Sequence, residues 1–83
     1  MKRLLTLTDA FRDQMHALPS RVRIRAGETL LDLAEADDPG PLTEPDPAHS
    51  GDPFVRQVRT VDYRMTVLVY DQHVVAVAIR SDG

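Results

Sequence analysis

The stretch from Tyr63 to Arg80, YRMTVLVYDQHVVAVAIR, sets β-branched and aliphatic side chains on both sides of Asp71-Gln72, which predicts two strands folded back on each other. On the first strand Met65, Val67 and Val69 share one face, and Arg64, Thr66, Leu68 and Tyr70 share the other. On the second, Val75, Val77 and Ile79 oppose Val74, Ala76, Ala78 and Arg80. The small side chains of Ala76 and Ala78 leave room for a helix to pack closely. An antiparallel return brings Arg64, at the head of the first strand, and Arg80, at the end of the second, toward the same end of the sheet.

The rest of the chain reads as cover for this hairpin. Lys2 to Leu7 (KRLLTL) is short and apolar and suits a strand, because Thr8-Asp9 is a helix cap followed by an acid. Phe11, Met15 and Leu18 then recur at helical spacing until Pro19-Ser20 stops the helix. Ser20 can cap a second helix whose stripe is Val22, Ala26, Leu30 and Leu33, widened by Thr29; the alternation Arg21-Val22-Arg23-Ile24-Arg25 also suits a strand, but the helical period runs on through Leu33. Gly27 either permits a close contact with a neighbour or is a weak point in that helix. Phe54 to Val61 (FVRQVRTV) resumes strand composition ahead of the hairpin.

Between these halves, residues 37–53 (DDPGPLTEPDPAHSGDP) hold five of the six prolines and only Leu42 as a large apolar side chain. That composition predicts an exposed, extended loop without helix or strand, inside one domain spanning residues 1–83. The expected fold is α+β, β-α-α-β-β-β, with a helical hairpin packed on a mainly antiparallel four-stranded sheet. A domain of this size buries only about 60% of the surface its unfolded chain exposes, so a partner can add to its stability.

Charge is unevenly distributed. The formal net charge is −3, yet Glu35 to Asp52 contains six acids and no Lys or Arg, leaving the remainder mildly basic. There is no cysteine, so disulfides and thiolate metal sites are excluded. The longest apolar run, Val74 to Ile79, falls far short of the roughly 20 residues that span a bilayer, and a cytoplasmic protein is expected.

Seven arginines are candidates for binding. Arg56, Arg59, Arg64 and Arg80 can gather on one side of a three-stranded meander, where guanidinium groups would hold phosphate; ordinary edge charges would have the same pattern. Arg21, Arg23 and Arg25 spread over roughly 200° of the second helix and form either a solvated flank or part of a basic rim. His16, His49 and His73 show no ligand spacing, and no metal site or cofactor is expected. His73, in the turn, stands roughly 23 Å of strand away from Arg80, too far to act with it. Tyr63 and Tyr70 read as core or edge aromatics.

The segment TDAFRDQMHALPSRVRIRAGETLLDLAEADDP followed by VDYRMTVLVYDQHVVAVAIR resembles the RelE/ParE superfamily of toxins from bacterial type II toxin–antitoxin modules. The likeness lies in the helical hairpin broken at Leu18-Pro19, the Tyr63-Arg64 head of one strand and Arg80 at the end of the next. It implies a cognate antitoxin seated in a groove of the domain, and action on the ribosome and its mRNA or on DNA gyrase; a homodimer is left open. In members that cleave mRNA without metal, the positions of Arg64 and Arg80 hold phosphate and stabilise the transition state, and the preceding strand, here with Arg56 and Arg59, carries further basic residues. The loop ahead of that strand is acidic, the net charge is negative, and only three residues follow Arg80, with no Tyr or His among them. Those differences favour gyrase-directed or other non-nucleolytic action over mRNA cleavage. A non-toxic interaction module on the same fold, its acidic loop shielding the basic face, is the alternative.

Overall fold

Thr8 is where the chain turns from strand to helix. It is extended, with φ −70° and ψ 159°, and its Oγ1 accepts the Phe11 N–H at 3.1 Å. A computed structural model describes residues 2–81. Their elements are β1 (Leu4–Leu7), α1 (Asp9–His16), α2 (Ser20–Glu35), β2 (Glu44–Pro45), β3 (Val55–Arg59), β4 (Tyr63–Val69) and β5 (His73–Ser81). No helix among them is long and apolar enough to cross a membrane.

Both helices form where the apolar period places them. Phe11 and Leu18 are buried and Met15 half-buried, so α1 lays one face on the sheet. In α2, Val22, Ala26, Leu30, Leu33 and Ala34 are buried, and Arg21-Val22-Arg23-Ile24-Arg25 is helical throughout. Ser20 is not the cap, however. Pro19 holds that position, because its ring fixes φ near the −57° observed and its carbonyl takes the Val22 and Arg23 N–H groups, each at 3.0 Å. Ser20 is thereby the first helical residue, its Oγ accepting from Arg23. Opposite the helices, Val58, Tyr63, Met65, Val67, Val74, Ala76 and Ile79 complete one core. Each large apolar side chain fully buried there contributes about 1.5–3 kcal/mol. Tyr63 keeps its hydroxyl satisfied in that core through Thr29 Oγ1, at 2.7 Å.

The sheet has five strands in the order β1-β5-β4-β3-β2, not the four expected. The additional strand, β2, lies in the proline-rich segment, where Glu44 pairs with Gln57 and Pro45 with Arg56. It survives there because it is an edge strand, where a proline without an N–H disrupts no further ladder. Prolines also start two 3₁₀ turns, Gly40–Leu42 and Pro47–His49, for which their fixed φ is already suited. Glu44 and Pro45 thus run along β3, while most of the segment is exposed as expected.

β3, β4 and β5 form the antiparallel meander, and β1 joins β5 in parallel from Leu4 opposite His73 to Leu7 opposite Ala76. One irregularity decides which way Arg80 points. Thr66 faces Ala78, but Val67 faces Ala76, so Val77 is an extra residue on β5. Beside it, Thr8 Oγ1 donates to the Val77 carbonyl at 3.1 Å. Uninterrupted alternation from buried Val74 and Ala76 would turn Arg80 into the core. With the bulge, Val74, Ala76 and Ile79 face the helices while Ala78 and Arg80 face away, which replaces the grouping expected from strict alternation.

Candidate functional site

The face of the sheet turned away from the helices carries the candidate site. Arg59 stands directly opposite Arg64, and Arg64 directly opposite Arg80. Residues opposed across a ladder share a face, so three arginines lie side by side on three adjacent strands, about 5 Å apart at their Cα atoms. The row behind them is Glu44, Gln57, Thr66 and Ala78, on β2 to β5. A cavity of about 440 Å³ opens over these two rows.

Two more elements close its sides. Beyond Leu7, β1 leaves the edge of β5 uncovered, and the Ile79 N–H there is taken at 2.9 Å by Gln14 Oε1, reaching down from α1. Gln14 thus forms one wall of the cavity. The opposite wall is Asp46 with the 3₁₀ turn Pro47–His49. Asp46 caps that turn, its Oδ1 accepting the Ala48 N–H at 2.9 Å, and its Oδ2 lies 3.4 Å from His49 Nδ1. Only 11% of the Asp46 side chain is exposed, against 58% for His49.

The electrostatics follow from this arrangement. Glu44 Oε1 accepts from Gln57 Nε2 at 2.8 Å and lies 3.5 Å from Arg59 Nε, so the acidic segment meets the arginine row at its β3 end. Arg64, Arg80 and the Asp46–His49 turn frame the rest of the space, a lining that combines guanidinium donors with an imidazole and a carboxylate.

Among the solved structures, a chain of the RelBE2 toxin–antitoxin complex of Mycobacterium tuberculosis matches with a TM-score of 0.79 and 19% identity, covering 98% of this chain and 99% of that one. The isolated E. coli RelE toxin matches with a TM-score of 0.77 and 15% identity, over 98% of this chain and 85% of that one. The chain has the RelE toxin fold. An archaeal RelE–RelB complex from Pyrococcus horikoshii repeats it, with a TM-score of 0.71 and 15% identity over 100% and 98% of the two chains. No protein-family model and no curated protein sequence matches.

On this RelE-like frame the sequence-derived candidates separate into two groups. Arg59, Arg64 and Arg80 come together. Arg56 does not: it pairs with buried Val67, on the helix side of the sheet, and its guanidinium is engaged by Thr43 Oγ1 at 2.9 Å and the Thr43 carbonyl at 3.4 Å. The spacing itself carries that signal, since residues three apart on a strand face opposite ways. Arg21, Arg23 and Arg25 sit on α2, beyond the core from the row, with Arg25 bridging to Asp62 in the β3–β4 turn at 2.5 Å. His73 is held at the other end of the hairpin by Thr6 Oγ1, at 2.6 Å. The residues missed from sequence are Gln14, Asp46 and His49, whose place depends on β1 ending early and on β2 pairing with β3.

Proposed function

We propose that this chain is the toxin component of a type II toxin–antitoxin module, acting on RNA in translation through the arginine row. The observation that carries this reading is the alignment of Arg59, Arg64 and Arg80 across three strands. Like charges placed directly opposite one another destabilise a sheet, and an anionic ligand offsets that cost. Guanidinium groups hold phosphate oxygens in pairs and stabilise the charge that builds on them as the phosphate is attacked. The fold matches, which include RelE in complex with its antitoxin, support a cognate antitoxin as the regulating partner.

Inducing the chain in a bacterial host should arrest growth and leave messages cut, mapped by primer extension. Arg64→Ala should restore growth and reduce cleavage by about 10²–10³-fold, the range for loss of one transition-state donor. A second reading, gyrase-directed action without cleavage, is favoured by the net charge of −3, which opposes binding to ribosomal RNA. Arrest with intact messages and altered supercoiling of plasmid DNA would select it. Unaffected growth would instead select a non-toxic interaction module.

A further inference from the structure

We infer that His49, held by Asp46, is the proton-transfer group of the arginine-lined cavity; this rests on the ribonuclease reading above. Proton transfer needs a group that can both take up and release a proton in neutral water, placed beside the bound phosphate. Of the described side chains lining the cavity, the guanidinium groups of Arg59, Arg64 and Arg80 are donors with no acceptor site, and the Gln14 and Gln57 amides and the Thr66 hydroxyl do not serve as bases. Tyr63 is occupied inside the core and Tyr70 packs on Phe54, ring centres 5.0 Å apart, so neither phenol lines the cavity. His16 and His73 lie outside it as well. Among the described residues, Asp46 and His49 are what remains.

Their roles differ by burial. Asp46 is nearly covered and already caps the turn with one oxygen, so its second oxygen is available to His49 Nδ1, 3.4 Å away. A carboxylate there orients the imidazole ring, which makes Asp46 a positioning residue. With Nδ1 turned to Asp46, Nε2 is the nitrogen left for substrate. In the step assigned to it, Nε2 takes the proton of a ribose 2′-hydroxyl as that oxygen bonds to the adjacent phosphorus. The bond from phosphorus to the 5′-oxygen breaks, the 5′-oxygen takes a proton from water, and the imidazolium returns its own to solvent. The products are a 2′,3′-cyclic phosphate and a 5′-hydroxyl, with no change of oxidation state.

The test is single-turnover cleavage of labelled message on programmed ribosomes, paired with affinity for ribosomes carrying a 2′-O-methyl message that cannot be cut. His49 is exposed, so its replacement leaves the core intact. His49→Gln should slow cleavage by about 10²–10³-fold with affinity unchanged. Asp46→Asn keeps an acceptor for the Ala48 N–H, so a merely structural role would leave kcat where it was; the expected result is a lower kcat at constant KM. Cleavage by His49→Gln at the wild-type rate would overturn the assignment of His49 while leaving the ribonuclease reading standing. An unchanged kcat in Asp46→Asn would overturn the part given to Asp46. Wild-type protein that binds programmed ribosomes and leaves the message whole would overturn the ribonuclease reading, and the dyad with it.

Discussion

Three guanidinium groups held side by side on one sheet face repel one another. Glu44 relieves that repulsion at the Arg59 end. Arg80→Thr eliminates one opposed pair and places a β-branched residue on a strand. It should raise stability by about 0.5 kcal/mol, or roughly 2–4 °C in Tm, while weakening retention on heparin. A thermal melt and a heparin column read the two effects separately, and a variant that lost both stability and retention would count against the repulsion argument. A short turn brings Arg64 and Arg80 to the same end of the hairpin, and that much is legible in the sequence, whereas their direct opposition depends on the extra residue Val77. Asp46 and His49 carry no such signal: they lie in a proline-rich segment, which the pairing of β2 with β3 brings back to the row.

At the scale of elements, α2 has a correctable fault. A Cβ on Gly27 would meet nothing within 4 Å, so the glycine serves no close approach and is the weak point of that helix. Gly27→Ala should stabilise the domain by about 0.5–1 kcal/mol, measured by chemical denaturation at unchanged m-value. The two helices and the three long strands were readable because their apolar periods are distinct. The bulge at Val77 was not. In Val74-Val75-Ala76-Val77-Ala78-Ile79 every residue is apolar, and a shift of phase leaves no trace in hydropathy. Yet that shift sends Arg80 to the open face, so the least legible residue of β5 controls where its most functional candidate points. Gln14 acts similarly from α1, covering the part of β5 that β1 leaves bare.

For the whole molecule, the division into an acidic segment and a basic remainder becomes a matter of contact, through Glu44 on Arg59 and Asp46 in the cavity wall. Replacing Asp37, Asp38 and Asp52 by Asn and Glu44 by Gln takes the formal net charge from −3 to +1 and retains side-chain oxygens that can accept the N–H groups the originals accept. The variant should elute from heparin at higher salt, with a steeper dependence of affinity on ionic strength. An unchanged elution would mean that the segment does not screen the row. The α+β layout was readable because pattern and turn chemistry agree along most of the chain, and the fifth strand was hidden because proline content argues against any strand. One feature of the layout bears on how the protein comes to exist in a cell. β1, near the start of the chain, lies in parallel against β5, near its end. During synthesis β1 therefore has no strand to pair with until β5 has emerged, and the arginine row, which needs β3, β4 and β5 together, is completed at that same point. Until β5 is in place, the unpaired strands are open to capture or aggregation.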